Sequence, residues 1–143
     1  MLAEQAKVFR ALSEAEFPLL VMKGGALAHW LYSQPALRVV TDLDILIPGK
    51  PHLAELQAVL SGMGYAPVPG NAMAIEVSFE KAGGPYGRFV VDAHWQLFNS
   101  MQLQSLFCYG ELQVEAQALP GQPGVFGLGP VHALFNACGH RAI

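Results

Sequence analysis

The segment Thr41-Asp-Leu-Asp-Ile-Leu-Ile47 constrains this chain more than any other, because it alternates two carboxylates with aliphatic residues at the period of a β-strand. Residues two apart in a strand point to the same face, about 6.5 to 7 Å from each other. Asp42 and Asp44 therefore share one side, and Leu43, Ile45 and Ile47 fill the other. Carboxylates held that close raise each other's pKa unless a cation sits between them. A divalent metal is the simplest resolution, and a strand-end pair reaching solvent is the alternative. The pattern recurs in Phe89-Val-Val-Asp-Ala-His-Trp95, where Asp92 and His94 share a face opposite Phe89, Val91, Ala93 and Trp95. Neighbouring strands lie about 4.8 Å apart, so adjacency of the two would let Asp92 complete a three-carboxylate cluster. Oxygen-only ligation of that kind suits magnesium or manganese rather than zinc. A calcium loop is excluded, since Ile-Leu-Ile follows Asp44 and offers neither oxygens nor a mid-loop glycine.

Upstream, Pro18 to Met22 reads as a short apolar strand that runs without a linker into a helix from about Gly25 to Tyr32. Lys23-Gly24-Gly25 falls at that junction, where free backbone N–H groups and the positive helix end make an anion pocket and glycine lets phosphate approach. The other reading of Gly-Gly here is a simple chain turn. Neither a P-loop nor the three-glycine dinucleotide fingerprint is present.

The remaining pattern predicts a helix over Leu2 to Glu16, with Ala6, Phe9 and Leu12 inward and Glu4, Lys7, Arg10 and Glu14 elsewhere. A helix begins at Pro51 and buries Leu53, Leu56, Leu60 and Met63. Clean alternation from Ala72 to Glu80, a Gly83-Gly84-Pro85/Gly87 turn and a return over Arg88 to Leu97 predict a hairpin. Gly110 to Pro130 reads as a loop-rich excursion with short strands near Leu112–Val114 and Gly124–Phe126. A last helix opens at Pro130 and runs to Ile143 without a cap, as a truncated chain would. The order predicts an α/β (α+β) fold, a small mixed sheet flanked by helices, with a core over residues 1–109 and the Gly/Pro-rich segment and final helix over 110–143.

Composition narrows the partners. The net charge of −3, with eight scattered basic residues, builds no basic stripe for a long nucleic acid. No apolar run approaches the ~18 residues of a membrane span, and Glu4 stands where a secretory signal would be basic, so a soluble, cytoplasmic protein is expected. Cys108 and Cys138 have no metal-binding or redox spacing and read as buried small hydrophobes. The 52% hydrophobic content suggests an apolar face covered by a second copy or by further helices.

Together, Met-Lys-Gly-Gly-Ala-Leu-Ala-His-Trp-Leu-Tyr32, Arg38, the Asp42-x-Asp44 strand and Val-Asp-Ala-His-Trp-Gln-Leu97 resemble the nucleotidyltransferase fold of the DNA polymerase beta superfamily. More narrowly, they resemble a bacterial group of uncharacterised nucleotidyltransferases, over about Leu19 to Leu97. His132 to His140 also resembles that group's next helix. The chain departs from the wider superfamily in the sixteen residues between Gly25 and Asp42, and in glycine at 25 where many relatives have serine. The resemblance implies that Gly24 and Gly25 cradle a nucleoside triphosphate, and that Asp42, Asp44 and Asp92 hold two Mg²⁺ (or Mn²⁺) ions. It further implies that Asp92 favours deprotonation of a hydroxyl acceptor, which attacks the α-phosphate and expels pyrophosphate. The acceptor stays open among small molecule, protein and RNA.

Several residues carry two readings. Lys23 serves either the β- or γ-phosphate or an ion pair with Asp44, and Arg38 either clamps phosphate or forms a structural ion pair. His94 assists the metal, contacts substrate or is structural. Trp30 and Trp95 read as core or as base-stacking residues, Glu76 and Ser78 as ordinary solvated positions or as lining of the pocket, His132 and His140 as structural, and His29 and His52 as surface. The rival to an enzyme is a partner-dependent, antitoxin-like binding module of the same fold, which would not need the third carboxylate. A sugar-nucleotide glycosyltransferase using Asp-x-Asp is disfavoured by the short chain.

Overall fold

A computed structural model of the chain describes residues 1–70, 75–84 and 86–141. Helix α1 (Leu2–Glu14) leads into β1 (Leu20–Val21), α2 (Lys23–Leu31) and β2 (Asp42–Leu46). These are followed by α3 (Leu53–Gly62), β3 (Ala66–Pro67), β4 (Glu76–Ala82) and β5 (Arg88–His94). After a turn-rich stretch come α4 (Tyr109–Val114), β6 (Gln117–Ala118), β7 (Phe126–Gly127) and α5 (Pro130–Arg141). The strands form one mixed sheet in the order β3-β4-β5-β2-β1-β7-β6. β2 runs parallel to β5 and β1 to β7; the other neighbours are antiparallel. Among the described residues no helix is long and apolar enough to cross a membrane.

Strand alternation sorts the two faces. Val21, Leu43, Ile45, Phe79, Val91 and Ala93 bury under Val8, Phe9 and Leu12 of α1, Leu56 and Leu60 of α3, and Ala26 of α2. Truncating one of these, for instance Leu43→Ala, is expected to cost about 2–5 kcal/mol. On the opposite face Leu20, Met22 and Leu46 pack with Leu97, Phe98, Leu112 and Leu128 in a second cluster. That cluster covers one end of the face and leaves the stretch bearing the acids half open.

The structure corrects the sequence reading at several points. Leu112–Val114 is not a strand but the end of α4, because Glu111 reaches back to accept the Cys108 N–H at 2.9 Å and closes a capping box. Cys108 and Cys138 are exposed rather than buried. Glu4, expected outside, is buried on α1, where Lys81 of β4 donates to it at 2.7 Å and Lys7 at 3.3 Å. The predicted strand's Ala72, Met73 and Ala74, the turn's Pro85 and the last helix's Ala142 and Ile143 lie outside the described residues, as does the side chain of His140.

Candidate active site

Register builds the site. Parallel pairing sets Asp44 of β2 opposite Asp92 of β5, and antiparallel pairing sets Asp92 opposite Ser78 of β4. One step along, Asp42 faces Val90, which faces Glu80. One step back, Leu46 faces His94, which faces Glu76. Period-two alternation thus gathers Asp42, Asp44, Asp92, His94, Ser78, Glu76 and Glu80 on the face away from the main core. A shallow cleft of about 400 Å³ reaches Asp42 and Asp92 from the hairpin side, past Tyr86 and Arg88.

The carboxylates are not equivalent. Asp44 is only 6% exposed. It accepts from Lys23 Nζ at 2.6 Å, and its Oδ1 lies 3.0 Å from His94 Nε2, while Nδ1 of the same ring lies 3.0 Å from Glu76 Oε2. The ring thus spans the Asp44 and Glu76 carboxylates through its two nitrogens, which fixes its plane. Burial alone would push the Asp44 carboxyl up, but the His94 hydrogen bond and the Lys23 charge outweigh it and hold it below the usual range. Asp92 is the opposite case. Burial raises it, Ser78 donating to Oδ1 at 2.5 Å offsets part of that, and the nearby charges of Asp44 and Asp42 raise it further. Two acids of one residue type are driven apart, Asp44 held as the anion and Asp92 made the readier of the two to bind a proton. Asp42 is half-buried and accepts from Thr41 Oγ1 at 3.1 Å.

The second half of the site is the start of α2. Its first helical hydrogen bond runs from the Ala26 N–H to the Met22 carbonyl at 3.5 Å, so the amides of Lys23, Gly24 and Gly25 precede the helical ladder. Lys23 adopts φ +48°, a left-handed conformation that lysine rarely takes, as its side chain turns onto Asp44. A Cβ at Gly24 would lie 3.6 Å from Arg38 Nε and 3.7 Å from Nη2. The guanidinium therefore lies against the helix start, and it is held from behind by Tyr32, whose hydroxyl accepts from Nη1 at 3.5 Å. Arg38 Nε is buried and has no partner among the described residues. Gly25 plays a different part. Its Cβ would fall 3.2 Å from both Leu43 Cδ1 and Val21 Cγ1, so its bare Cα lets α2 seat on the sheet.

The structure thus brings Asp42, Asp44, Asp92, Lys23 and His94 together on one face, sets Gly24 and Arg38 at the adjoining helix start, and places Gly25 beneath it. Of the two readings for Lys23, the ion pair with Asp44 is the one present. Of the two readings for Glu76 and Ser78, solvated position or lining of the pocket, the second is the one present: Ser78 is buried and bonded to Asp92, and Glu76 braces His94. Their alternation opposite Val77 and Phe79 was the available signal. A divalent cation is fitted by the donor set in kind and in register. As the side chains stand, no group of three or more His, Cys, Asp or Glu among the described residues is gathered to hold one. Instead the Lys23 ammonium supplies the positive charge at Asp44.

A mixed sheet with helices over its aliphatic face, acids in register on two parallel strands and a glycine-bearing helix start beside them define a nucleotidyltransferase. The chain belongs to the family of uncharacterised nucleotidyltransferases, whose model matches residues 1–142. No curated protein matches it. Among solved structures it is similar to the antibiotic-resistance factor ANT(2'')-Ia in solution, with a TM-score of 0.64 and 17% identity, covering 95% of this chain and 71% of that one. It is also similar to crystalline ANT(2'')-Ia in complex with adenylyl-2''-tobramycin, with a TM-score of 0.57 and 19% identity over 86% of this chain and 66% of that one. At such identities the likeness is one of fold.

Proposed function

We propose that the protein transfers a nucleoside monophosphate from a nucleoside triphosphate to the hydroxyl of a small molecule and releases pyrophosphate. The observation that carries this reading is the register pair Asp44–Asp92, with its carboxyls driven in opposite directions, beside the Lys23–Gly24–Arg38 anion pocket. The first-turn amides and the unpartnered Arg38 Nε bind the β- and γ-phosphates, which directs the α-phosphate toward the acidic face, while the Lys23 ammonium stays on Asp44. The acceptor enters by the cleft beside Tyr86, and Asp92, its carboxyl already raised, takes the hydroxyl proton. The oxygen then bonds to the α-phosphorus, the bond from that phosphorus to the oxygen bridging to the β-phosphate breaks, and pyrophosphate leaves with the electron pair. Asp42, Asp44 and Asp92 would hold two Mg²⁺ or Mn²⁺ ions, whose charge would stabilise the phosphates as the bond order shifts. Glu76 keeps His94, and through it Asp44, in place.

A small-molecule acceptor is favoured over RNA by the net charge of −3 and by the acidic lining of the acceptor cleft. ANT(2'')-Ia, solved with adenylyl-2''-tobramycin, points the same way. The test is calorimetry with each nucleoside triphosphate, with and without magnesium, and a pyrophosphate-release assay against a panel of hydroxyl compounds. Asp44→Asn and Asp92→Asn should each abolish release, with Asp92→Asn still binding nucleotide. Magnesium-dependent triphosphate binding that survives Asp42→Asn and Asp44→Asn together refutes the ligand assignment.

A further inference from the structure

Helix α5 is amphipathic in the reverse of the usual sense. Its buried side carries His132, Asn136 and Gly139, while Val131, Leu134 and Phe135 turn outward at 58%, 65% and 49% exposure, with exposed Cys138 one turn further on. Apolar residues at that i, i+3, i+4, i+7 spacing normally form the face that a helix packs against its core. The outward stripe continues onto α2, where Leu31 is 72% exposed. Leu31 and Leu134 border a groove of about 340 Å³ between the two helices, walled by Leu27 and Trp30 of α2 and by Ala133 and Ala137 of α5. The indole N–H of Trp30 already donates to the Ala118 carbonyl at 3.2 Å, so the ring offers the groove only apolar surface. No charged residue lines the groove.

We propose that this face docks a second copy of the chain, with Leu31 and Leu134 of each copy seated in the groove of the other. The patch holds both projecting side chains and the recess they fill, as a two-fold interface requires, since each surface there must complement itself. A two-fold also sets like against like, which an uncharged patch bears without repulsion, and strongly apolar, charge-poor surfaces belong to homodimers more than to transient complexes. At about 100 Å² apiece, the four outward side chains and the groove walls supply on the order of 500 Å² per copy, and two copies together reach the roughly 1,000 Å² that a specific interface needs. The groove shares Leu27, Trp30, Ala133 and Ala137 with a cavity of about 220 Å³ that runs past Gly24 and Arg38, so a docked copy closes the outer side of that cavity as well.

The experiment is sedimentation velocity on the full chain without ligand, from about 1 to 100 µM. Wild type should sediment at twice the chain's mass toward the upper end of that range. Leu134→Glu and Leu31→Glu, both at exposed positions that a folded monomer tolerates, should each raise the dissociation constant tenfold or more, because docking would bury a carboxylate against apolar walls. Tyr86→Glu, at a position 62% exposed on the hairpin at the other end of the sheet, should leave the dimer intact. Circular dichroism checks that each variant is folded, and Leu134→Gln gives the same comparison if a glutamate variant is not. A wild type that stays monomeric at about 100 µM overturns the proposal and leaves the face to a further segment of a longer chain or to a different protein. A dimer that neither leucine variant weakens, or that Tyr86→Glu weakens as much, overturns it too, because the copies then meet elsewhere.

Discussion

Lys23 offers a test in which the sign is the opposite of ordinary helix propensity. Its Nζ lies 2.6 Å from Asp44 Oδ1, with the side chains 29% and 8% exposed. Deleting the ammonium leaves a buried carboxylate with His94 as its remaining partner at a cost of about 2 kcal/mol, below the figure for a fully buried pair because Lys23 reaches solvent. Lys23→Ala and Lys23→Gly share that loss. They differ in the backbone, where φ +48° strains any residue with a Cβ by about 1 kcal/mol and glycine not at all. Glycine inside a helix is normally about 1 kcal/mol worse than alanine. Here Lys23→Gly should be the more stable by about 1 kcal/mol, or some 3 to 5 °C in Tm for a domain of this size. Urea unfolding of both variants without ligand, at neutral pH and with equal m-values, measures the difference. The acid limb should respond too. Asp44 has a lowered folded pKa, so its contribution is complete above the ordinary value of 3.8 and is lost as pH falls through the folded value. Removing Lys23 shrinks that window in both variants. An alanine variant as stable as the glycine variant, or more so, would refute the strain at Lys23.

Four further outcomes follow from the same geometry. Asp92→Asn should abolish pyrophosphate release yet stabilise the free protein at neutral pH, by on the order of 1 kcal/mol. A raised folded pKa means that the contribution of Asp92 is full below its unfolded value and lost as pH rises, so the gain should vanish below about pH 4 in urea titrations. Gly24→Ala should leave Tm within about 1 °C, since the new Cβ meets nothing closer than Arg38 at 3.6 Å, while weakening triphosphate binding at the helix start. Gly25→Ser should instead lower Tm by a few degrees, because its Cβ must displace Leu43 and Val21. Glu76→Ala should lower kcat roughly ten- to a hundredfold with little change in triphosphate affinity, and Glu76→Gln should recover part of it, as expected of a residue acting through His94.

The strands that carry acids were legible because each alternates without a break over five residues or more, and alternation of that length fixes both the element and its inward face. β4 and β5 pair over seven residues, close to the predicted hairpin. Short elements gave no such signal. β6 and β7 each span two residues and exist through partners distant in the chain, Gly127 beside Val21 for one. α4 formed against a glycine- and proline-rich background because one cap, Glu111 on the Cys108 amide, outweighs composition. Glu4 was misplaced for a related reason. A glutamate on a helix reads as solvated until Lys81, seventy-seven residues away, is known to meet it.

The site shows where periodicity stops being informative. Alternation in β4 separates Glu76, Ser78 and Glu80 from Val77 and Phe79, and in a sheet covered on one side the first set would face water. This sheet is covered in part on both sides, because Leu20, Met22 and Leu46 also recruit Leu97, Phe98 and Leu128. The face opposite the main core therefore holds a gradient, dry near His94 and Asn136 and open near Asp42 and Tyr86. That gradient makes two carboxylates from matched register positions unlike: the one nearer the dry end is clasped by Lys23 and His94, and the one toward the hairpin accepts from Ser78. Sequence shows that Asp44 and Asp92 can meet, but which of them remains an anion and which takes a proton depends on the covering of Leu97, Phe98 and α5, brought there by tertiary packing alone.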